Sequence, residues 1–483
     1  MDNAVLIASS YQYEPTAEQL NFCEQVASFL TGRVDQRCFI LRGYAGTGKT
    51  TSIAALVKAL PRFKMRSVLL APTGRAAKVM RNYSGRTALT VHKRIYRKRS
   101  AVSTEMAFQL APNLAENTLF IVDEASMIAD EWNSKSGSSF LKDIVDYIYN
   151  GKNCAVLFVG DTAQLPPVGS LESPALNRDY LAQTFGFEVF HTELKEVVRQ
   201  GRESGILANA SMLRVLINEM EQEDDHSEDK ALIPKFFTKG YNDIFRMTGL
   251  KMVEGLEYAY RKFEMENTLV VCRSNKSANI YNQQIRTRLL YREEELTGGD
   301  QIMIVRNNYF WLPDNEAGSF IANGDMARIV RVRREEERYG FRFAEVQLEF
   351  FDYPDAGQIT CKVMLDTLQG ETPNLSYEDS KKLFEGLSAD YEHITNRRER
   401  MLAIKADPFY NALQIKFAYA VTCHKAQGGQ WDAVFVDQGY LTDDMIDIEF
   451  LRWLYTAVTR SRKELFLVNF SAGLFEEAAE DQY

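Results

Sequence analysis

No stretch of this 483-residue chain approaches the roughly 18 consecutive apolar residues that a membrane span requires, and its first 30 residues lack a basic segment followed by an apolar core. The expectation is a soluble, unexported protein without a membrane partner. Cysteine is sparse and scattered: Cys23, Cys38, Cys154, Cys272, Cys361 and Cys423 form no C-x-x-C pair, so neither a zinc site nor a disulfide framework is indicated, and a reducing cytoplasm is the expected location. No internal repeat, low-complexity tract or metal-ligating cluster of the kind a nuclease needs is visible. With 45% hydrophobic and 25% charged residues, 28 Gly and 12 Pro, the composition excludes disorder and fibrous architecture, and the length suggests two to four domains.

One further absence is local. The net charge is −9, which by itself argues against a polyanionic partner, yet residues 36–104 contain no Asp or Glu at all while holding 16 Lys and Arg. The first part of the protein therefore presents a strongly positive face, and the remainder carries −25. A compact acidic run at 221–229 (EQEDDHSED) reads as a solvated loop or linker.

Short apolar runs bounded by turn residues recur at 38–43 (CFILRG), 67–73 (SVLLAPT), 118–124 (TLFIVDE) and 154–161 (CAVLFVGD), with helical segments at 51–60 and 74–80 between them. Such runs are buried strands of a parallel sheet, and the pattern predicts a doubly wound α/β domain. The texture returns at 268–275, 433–439 and 464–470, predicting a second one. From 301 to about 366 the pattern alternates apolar with polar residues between NGD and AG turns, the signature of a small antiparallel β module inserted into the second domain. A charged, mostly helical stretch, 376–406, follows.

Gly43-Tyr44-Ala45-Gly46-Thr47-Gly48-Lys49-Thr50 matches G-x-x-x-x-G-K-[ST] between a predicted strand and a predicted helix that continues from Thr51. Its glycines let backbone N–H groups converge on phosphates, Lys49 reaches the β and γ phosphates, and the Thr50 hydroxyl suits Mg²⁺. Asp123 and Glu124 end a predicted strand, where ligands of open α/β sheets bind; Asp123 is assigned to the Mg²⁺ shell and Glu124 to deprotonating an attacking water. Gln164 follows the next strand and is placed to sense the γ-phosphate. The cofactors predicted are ATP and Mg²⁺.

Further segments stand in order along the chain: Thr16-Ala17-Glu18-Gln19, Ala71-Pro72-Thr73-Gly74-Arg75-Ala76-Ala77, Thr90-Val91-His92-Lys93, Val197-Val198-Arg199-Gln200, Thr422-Cys423-His424-Lys425-Ala426-Gln427-Gly428 and Tyr455-Thr456-Ala457-Val458-Thr459-Arg460. The series resembles the superfamily 1 helicases, and specifically the 5′-to-3′ branch (superfamily 1B) that contains RecD, the phage Dda protein and the Pif family, over nearly the whole chain. That resemblance implies that Gln19 reads the adenine edge, that Gly428 touches nucleotide, and that Arg199 and Arg460 are arginine fingers. It also implies that Pro72, Thr73, Arg75, His92 and Lys93, with Thr422, His424, Lys425 and Gln427, grip single-stranded DNA. Two arginines facing a cleft supply positive charge where hydrolysis develops negative charge. The chain departs from many relatives at Gly429-Gln430-Trp431-Asp432, which lacks an acidic residue near Gln430 for the ribose; Trp431 reads as core. Relatives insert a β-hairpin pin where this chain has Lys93 to Leu114, whose aromatics Tyr96 and Phe108 either stack on bases or pack the hairpin.

The fold expected is α/β, with two RecA-like P-loop NTPase domains, a short β-hairpin inserted in the first and a small β-barrel in the second. The boundaries drawn are 1–200 for the first domain (pin at 93–117), 201–300 and 405–483 for the second, and 301–404 for the barrel with its helical extension. The activity expected is an ATP-dependent DNA helicase, working as a monomer, that moves 5′ to 3′ on single-stranded DNA and opens duplex or forked DNA. The alternatives are a translocase without strand separation, a nucleotide switch, or the helicase subunit of a nuclease complex.

Overall fold

The computed structural model of the protein describes residues 3–32, 36–98, 108–131, 138–198, 203–222, 233–312, 321–352, 357–372 and 374–476. The first 200 residues contribute β1 (Arg37–Gly43), β2 (Arg66–Ala71), β3 (Ala88–Thr90), β4 (Tyr96–Lys98), β5 (Phe108–Leu110), β6 (Glu116–Val122), β7 (Lys152–Gly160) and β8 (Glu188–Leu194). Six of these make a parallel sheet in the order β3-β2-β6-β7-β1-β8. Consecutive residues such as Phe39, Ile40 and Leu41 are wholly buried because separate apolar clusters cover the two faces. That is why these strands read as unbroken apolar runs rather than as alternation.

Strands β4 and β5 pair antiparallel, Tyr96 with Leu110 and Arg97 with Gln109, at the place predicted for the pin. The hairpin's middle, 99–107, and the Phe108 side chain lie outside the described residues, as do Arg199 and residues 223–229 of the acidic run; Glu221 and Gln222 close the helix Gly205–Gln222.

The remainder adds β9 (Ile244–Met247), β10 (Thr268–Cys272), β11 (Gln301–Ile304), β12 (Met326–Arg338), β13 (Phe341–Phe350), β14 (Gln358–Met364), β15 (Leu413–Phe417), β16 (Ala420–Thr422), β17 (Trp431–Asp437) and β18 (Ser461–Val468). A second parallel sheet runs β16-β10-β17-β18-β9, and β11 to β15 close into a barrel. The two parallel sheets, the hairpin and the barrel are those of the expected α/β class.

The barrel reaches past residue 404, the limit drawn from the sequence: its last strand is β15, which pairs with both β11 and β14. LQIKF alternates apolar with polar residues as the other barrel strands do, yet all five are buried and it stands about 50 residues after β14, behind two helices, so the boundary drawn at 404 left it out. The helices Tyr377–Asp390 and Arg397–Lys405, which connect β14 to β15 along the chain, pack over their own cluster around Phe343, Leu387 and Ile404. At the barrel's root Asp300, fully buried, accepts hydrogen bonds from Arg286 (3.0 Å), Arg292 (2.6 Å), the Tyr419 hydroxyl (2.8 Å) and the Thr297 N–H (2.8 Å).

Among the described residues no helix is long and apolar enough to cross a membrane. All six cysteines are buried free thiols.

Candidate active site

The turn from β1 into the helix Lys49–Ala59 needs left-handed backbone at Gly46 (φ 77°) and Gly48 (φ 85°). A Cβ on Gly48 would stand 2.3 Å from Nε2 of Gln19, so only glycine lets that side chain lie over the loop. Gln19 reaches it from the first turn of the helix Ala17–Thr31, where its amide oxygen accepts from the Thr16 N–H (3.0 Å) and the Thr16 hydroxyl accepts from the Gln19 N–H (3.3 Å). The Lys49 ammonium donates to the carbonyls of Gly43 (2.5 Å) and Tyr44 (2.9 Å) and lies 4.0 Å from the Asp161 carboxylate. Buried Thr47 donates to the Tyr44 carbonyl, whereas Thr50 and Thr51 are exposed on the helix's first turn. Glycine-freed N–H groups, a lysine and a helix N-terminus together form a cradle for a polyphosphate.

Asp123 follows β6 directly and accepts from the Tyr83 hydroxyl (2.8 Å) and from the Glu124 N–H (2.9 Å). Glu124 itself adopts φ 53°, ψ 38°, a left-handed conformation that is strained for a residue with a Cβ. Desolvation raises the carboxyl pKa of both. For Glu124 the charges of Arg460 and Lys49 oppose that rise, while Asp123 and Asp161 add to it. For Asp123 the Tyr83 hydroxyl, the Glu124 N–H and Lys49 oppose it. Asp161, buried after β7, accepts from the Tyr455 hydroxyl (2.7 Å) and the Ala163 N–H (3.1 Å). Gln164 is buried as well, and its amide oxygen has no hydrogen-bond partner among the described residues. Leaving such an atom unpaired costs about 1–3 kcal/mol, which a donor in the cleft recovers.

The second domain closes the site. From the helix Ile448–Val458, the Tyr455 hydroxyl accepts from the Ala45 N–H of the phosphate loop (2.9 Å) while donating to Asp161, and the Thr456 hydroxyl accepts from the Leu165 N–H (2.8 Å). Arg460, 2% exposed, is held by the carbonyls of Thr456 (2.9 Å) and Gly429 (3.2 Å) and the Thr459 hydroxyl (3.1 Å). The chain just before Arg199 is tied in too: Val198 N–H donates to the Gly46 carbonyl at 3.1 Å. A polar cavity of about 480 Å³ opens beside Tyr44, Asp161, Gln164 and Arg452.

The candidates for nucleic-acid contact divide. Thr73 caps the helix Gly74–Ser84, with half-buried Pro72 before it, and Thr90 caps the helix Val91–Ile95 that carries Lys93. Thr422 precedes the short helix Cys423–Ala426, on which His424 is exposed and Lys425 donates to the Asn323 side chain (2.7 Å) beside the barrel. Arg75 spans the two domains: its guanidinium stacks 4.1 Å over Trp431 and donates to the Gln430 carbonyl (3.1 Å). Trp431 is thus both core and a platform for that arginine.

Two candidates are turned into packing. The His92 ring stacks on Phe140 at 4.4 Å, and burial pushes its pKa down to about 4. Gln427 is buried and donates to the Leu165 carbonyl (2.7 Å), a tie between domains rather than an open amide. Gly428, expected at the nucleotide, lies against Thr73 and Ala76. Asp161, Tyr455 and Thr456 sat inside recognised segments, but the buried hydrogen bonds that matter join parts of the chain about 300 residues apart, as in Asp161 with Tyr455, which sequence does not display. Nothing in the sequence marked Tyr83.

Residues 16–227 match the family described as AAA domain, and residues 417–468 the UvrD-like helicase C-terminal domain. The chain is 24% identical to the ATP-dependent DNA helicase dda of Enterobacteria phage T4, over 89% of this chain and 93% of that protein. It is 21% identical to an uncharacterized protein of Acanthamoeba polyphaga mimivirus, over 89% of this chain and 94% of that protein. Among solved structures it is similar to a Pif1 helicase from Bacteroides in complex with ADP-AlF3 and ssDNA, at 15% identity, 96% and 94% coverage and a TM-score of 0.43.

Proposed function

We infer that this chain, a member of the superfamily 1B helicases related to RecD, Dda and Pif, is an ATP-dependent DNA helicase whose hydrolytic site is assembled only when its two RecA-like domains meet. One observation carries the reading: Tyr455 of the second domain joins the phosphate loop at Ala45 to Asp161, while the charge of Arg460 acts on Glu124 across the same interface. In this reading the loop N–H groups and Lys49 hold the phosphates, Gln19 lies over the base side of the loop, and Glu124 takes the proton of the attacking water. Gln164 accepts from that water or from its neighbours, and Arg460, with Arg199, balances the charge that develops. Mg²⁺, for which the Thr50 hydroxyl and the Asp123 carboxylate are fitting oxygen donors, supplies charge neutralisation on the phosphates when bound.

Because residues of both domains complete the site, nucleotide binding favours the closed arrangement over the open one, and turnover releases it; this differential binding is the source of stepping. Half-buried Thr73 and Thr422, with exposed His424 and, beside it, half-buried Lys425, provide the grips on single-stranded DNA. The hairpin β4–β5 divides the duplex. We take residues 1–200 as the first domain, 201–300 with the C-terminal segment as the second, and the barrel with its helices as an insertion; the protein moves 5′ to 3′ and works as a monomer in the cytoplasm. Strand displacement from duplexes bearing a 5′ or a 3′ single-stranded tail tests this: ATP-dependent opening of the 5′-tailed duplex alone is expected. Opening of the 3′-tailed duplex alone overturns the polarity, and ATP turnover without opening of either leaves a translocase.

A further inference from the structure

A cleft of about 580 Å³ at the root of the hairpin β4–β5 shares only Lys93 with the site residues described above. Arg66, Lys93, Arg94 and Arg97 line it, and none of the described residues lining it is acidic. Its walls are otherwise flat or apolar: Tyr96, Tyr147, and Leu114, whose side chain is 87% exposed. The carboxylate of Asp143, behind Tyr96, accepts from that tyrosine's hydroxyl at 2.6 Å. Two buried polar atoms of lining residues, Oγ of Ser67 and Nε of Arg94, have no hydrogen-bond partner among the described residues. In a protein of net charge −9, four cations around apolar walls select a ligand that brings both phosphates and flat apolar faces, and single-stranded nucleic acid is that ligand.

Position distinguishes this cleft from the grip on the tracking strand. Arg66 opens β2 and Thr73 follows its end, and at about 3.3 Å per residue the two ends of that strand stand roughly 17 Å apart. The cleft therefore runs from its Arg66 end, remote from Thr73, along the hairpin's own flank at Tyr96, Arg97 and Leu114, and meets the grip only at its Leu89 and Lys93 end. We propose that it binds the strand displaced by the hairpin, holding its phosphates on Arg66, Arg94 and Arg97 and its bases against Tyr96 and Leu114. This rests on reading the chain as a helicase with β4–β5 as its pin.

The test is equilibrium binding by the full-length protein, without ATP, to a duplex with a 5′ tail and to the same duplex given an added 3′ arm. The arm is expected to tighten binding by about ten-fold. The Arg66→Glu, Arg97→Glu double variant should lose that gain while its affinity for the tailed duplex stays within about two-fold, and the Arg66→Lys, Arg97→Lys variant should keep most of it. No gain from the arm in the unaltered protein, or a gain untouched by the charge reversals, overturns the proposal. Equal losses on both DNAs would put the cleft on the tracking strand, and arm-independent capture of an acidic peptide would make it a protein site; either also overturns it. Because the readout is affinity, the two failures are distinguishable: a protein that holds the arm here yet opens no duplex defeats the helicase reading, whereas one that opens duplex without holding the arm defeats only this site.

Discussion

Glu124 holds a left-handed backbone and a desolvated carboxyl group at once, a combination that fixes the side chain's direction and raises its proton affinity, as the proposed base requires. Glu124→Gln keeps the shape but cannot accept a proton, so nucleotide and DNA affinity should persist while the steady-state ATPase rate falls by about 10²–10⁴-fold; loss of binding along with hydrolysis would make Glu124 structural. Since the folded carboxyl titrates above its ordinary 4.5, the acidic limb of the ATPase pH profile should lie above that value, activity falling as pH drops through it. The stability sign is the opposite: the ionised carboxylate weighs against folding above the unfolded pKa, and protonation relieves this as pH falls through the folded one. At Tyr455 the hydroxyl serves two partners, Ala45 and Asp161, the latter 1% exposed. Tyr455→Phe should cost about 1–3 kcal/mol in urea unfolding and lower ATPase turnover, whereas unchanged stability would mean that the domains do not stay closed in solution.

At the scale of elements, the barrel and the second sheet share one apolar core, and a buried carboxylate stands at their junction. Burial alone would raise the pKa of Asp300, but the hydrogen bonds and charge of Arg286, with the Thr297 N–H and Tyr419, hold it below its ordinary 3.8. A depressed carboxylate contributes stability that is fully present above the unfolded pKa and lost as pH falls through the folded one, so this junction should weaken only below about pH 4. Asp300→Asn leaves Arg286 and Arg292 without their counter-charge, and a loss of about 3–5 kcal/mol is expected in urea unfolding at pH 7, shrinking as the pH is lowered below 4. A loss below about 1 kcal/mol would mean that the two arginines find water or other acceptors. The same junction shows where elements were illegible: β15 ends a short way before β16, both are largely buried, and only pairing assigns one to the barrel and the other to the parallel sheet.

For the whole molecule, overall charge and local charge have opposite signs. The protein carries −9, yet residues 36–104 carry +16, and counterions released from DNA respond to the local value. Affinity for single-stranded DNA should therefore fall at least about ten-fold between roughly 50 and 200 mM salt; a flat dependence would mean that the basic residues face elsewhere.

The phosphate loop, the Asp123-Glu124 pair, the parallel strands, the hairpin and the β module were legible in the sequence because each is written locally: glycines where a turn must be left-handed, carboxylates at a strand's end, apolar runs where helices cover both faces. The resemblance of the ordered segments carried the family. Tertiary structure alone decided which side chains meet. It stacks His92 on Phe140, seats Gln427 against Leu165, lays Arg75 over Trp431, and brings Tyr455 and Arg460 to the loop at Ala45 and to Glu124, which lie hundreds of residues earlier. A motif specifies the chemistry a segment can perform, but burial and hydrogen-bond partners are set by packing between distant segments, and packing has no local signature.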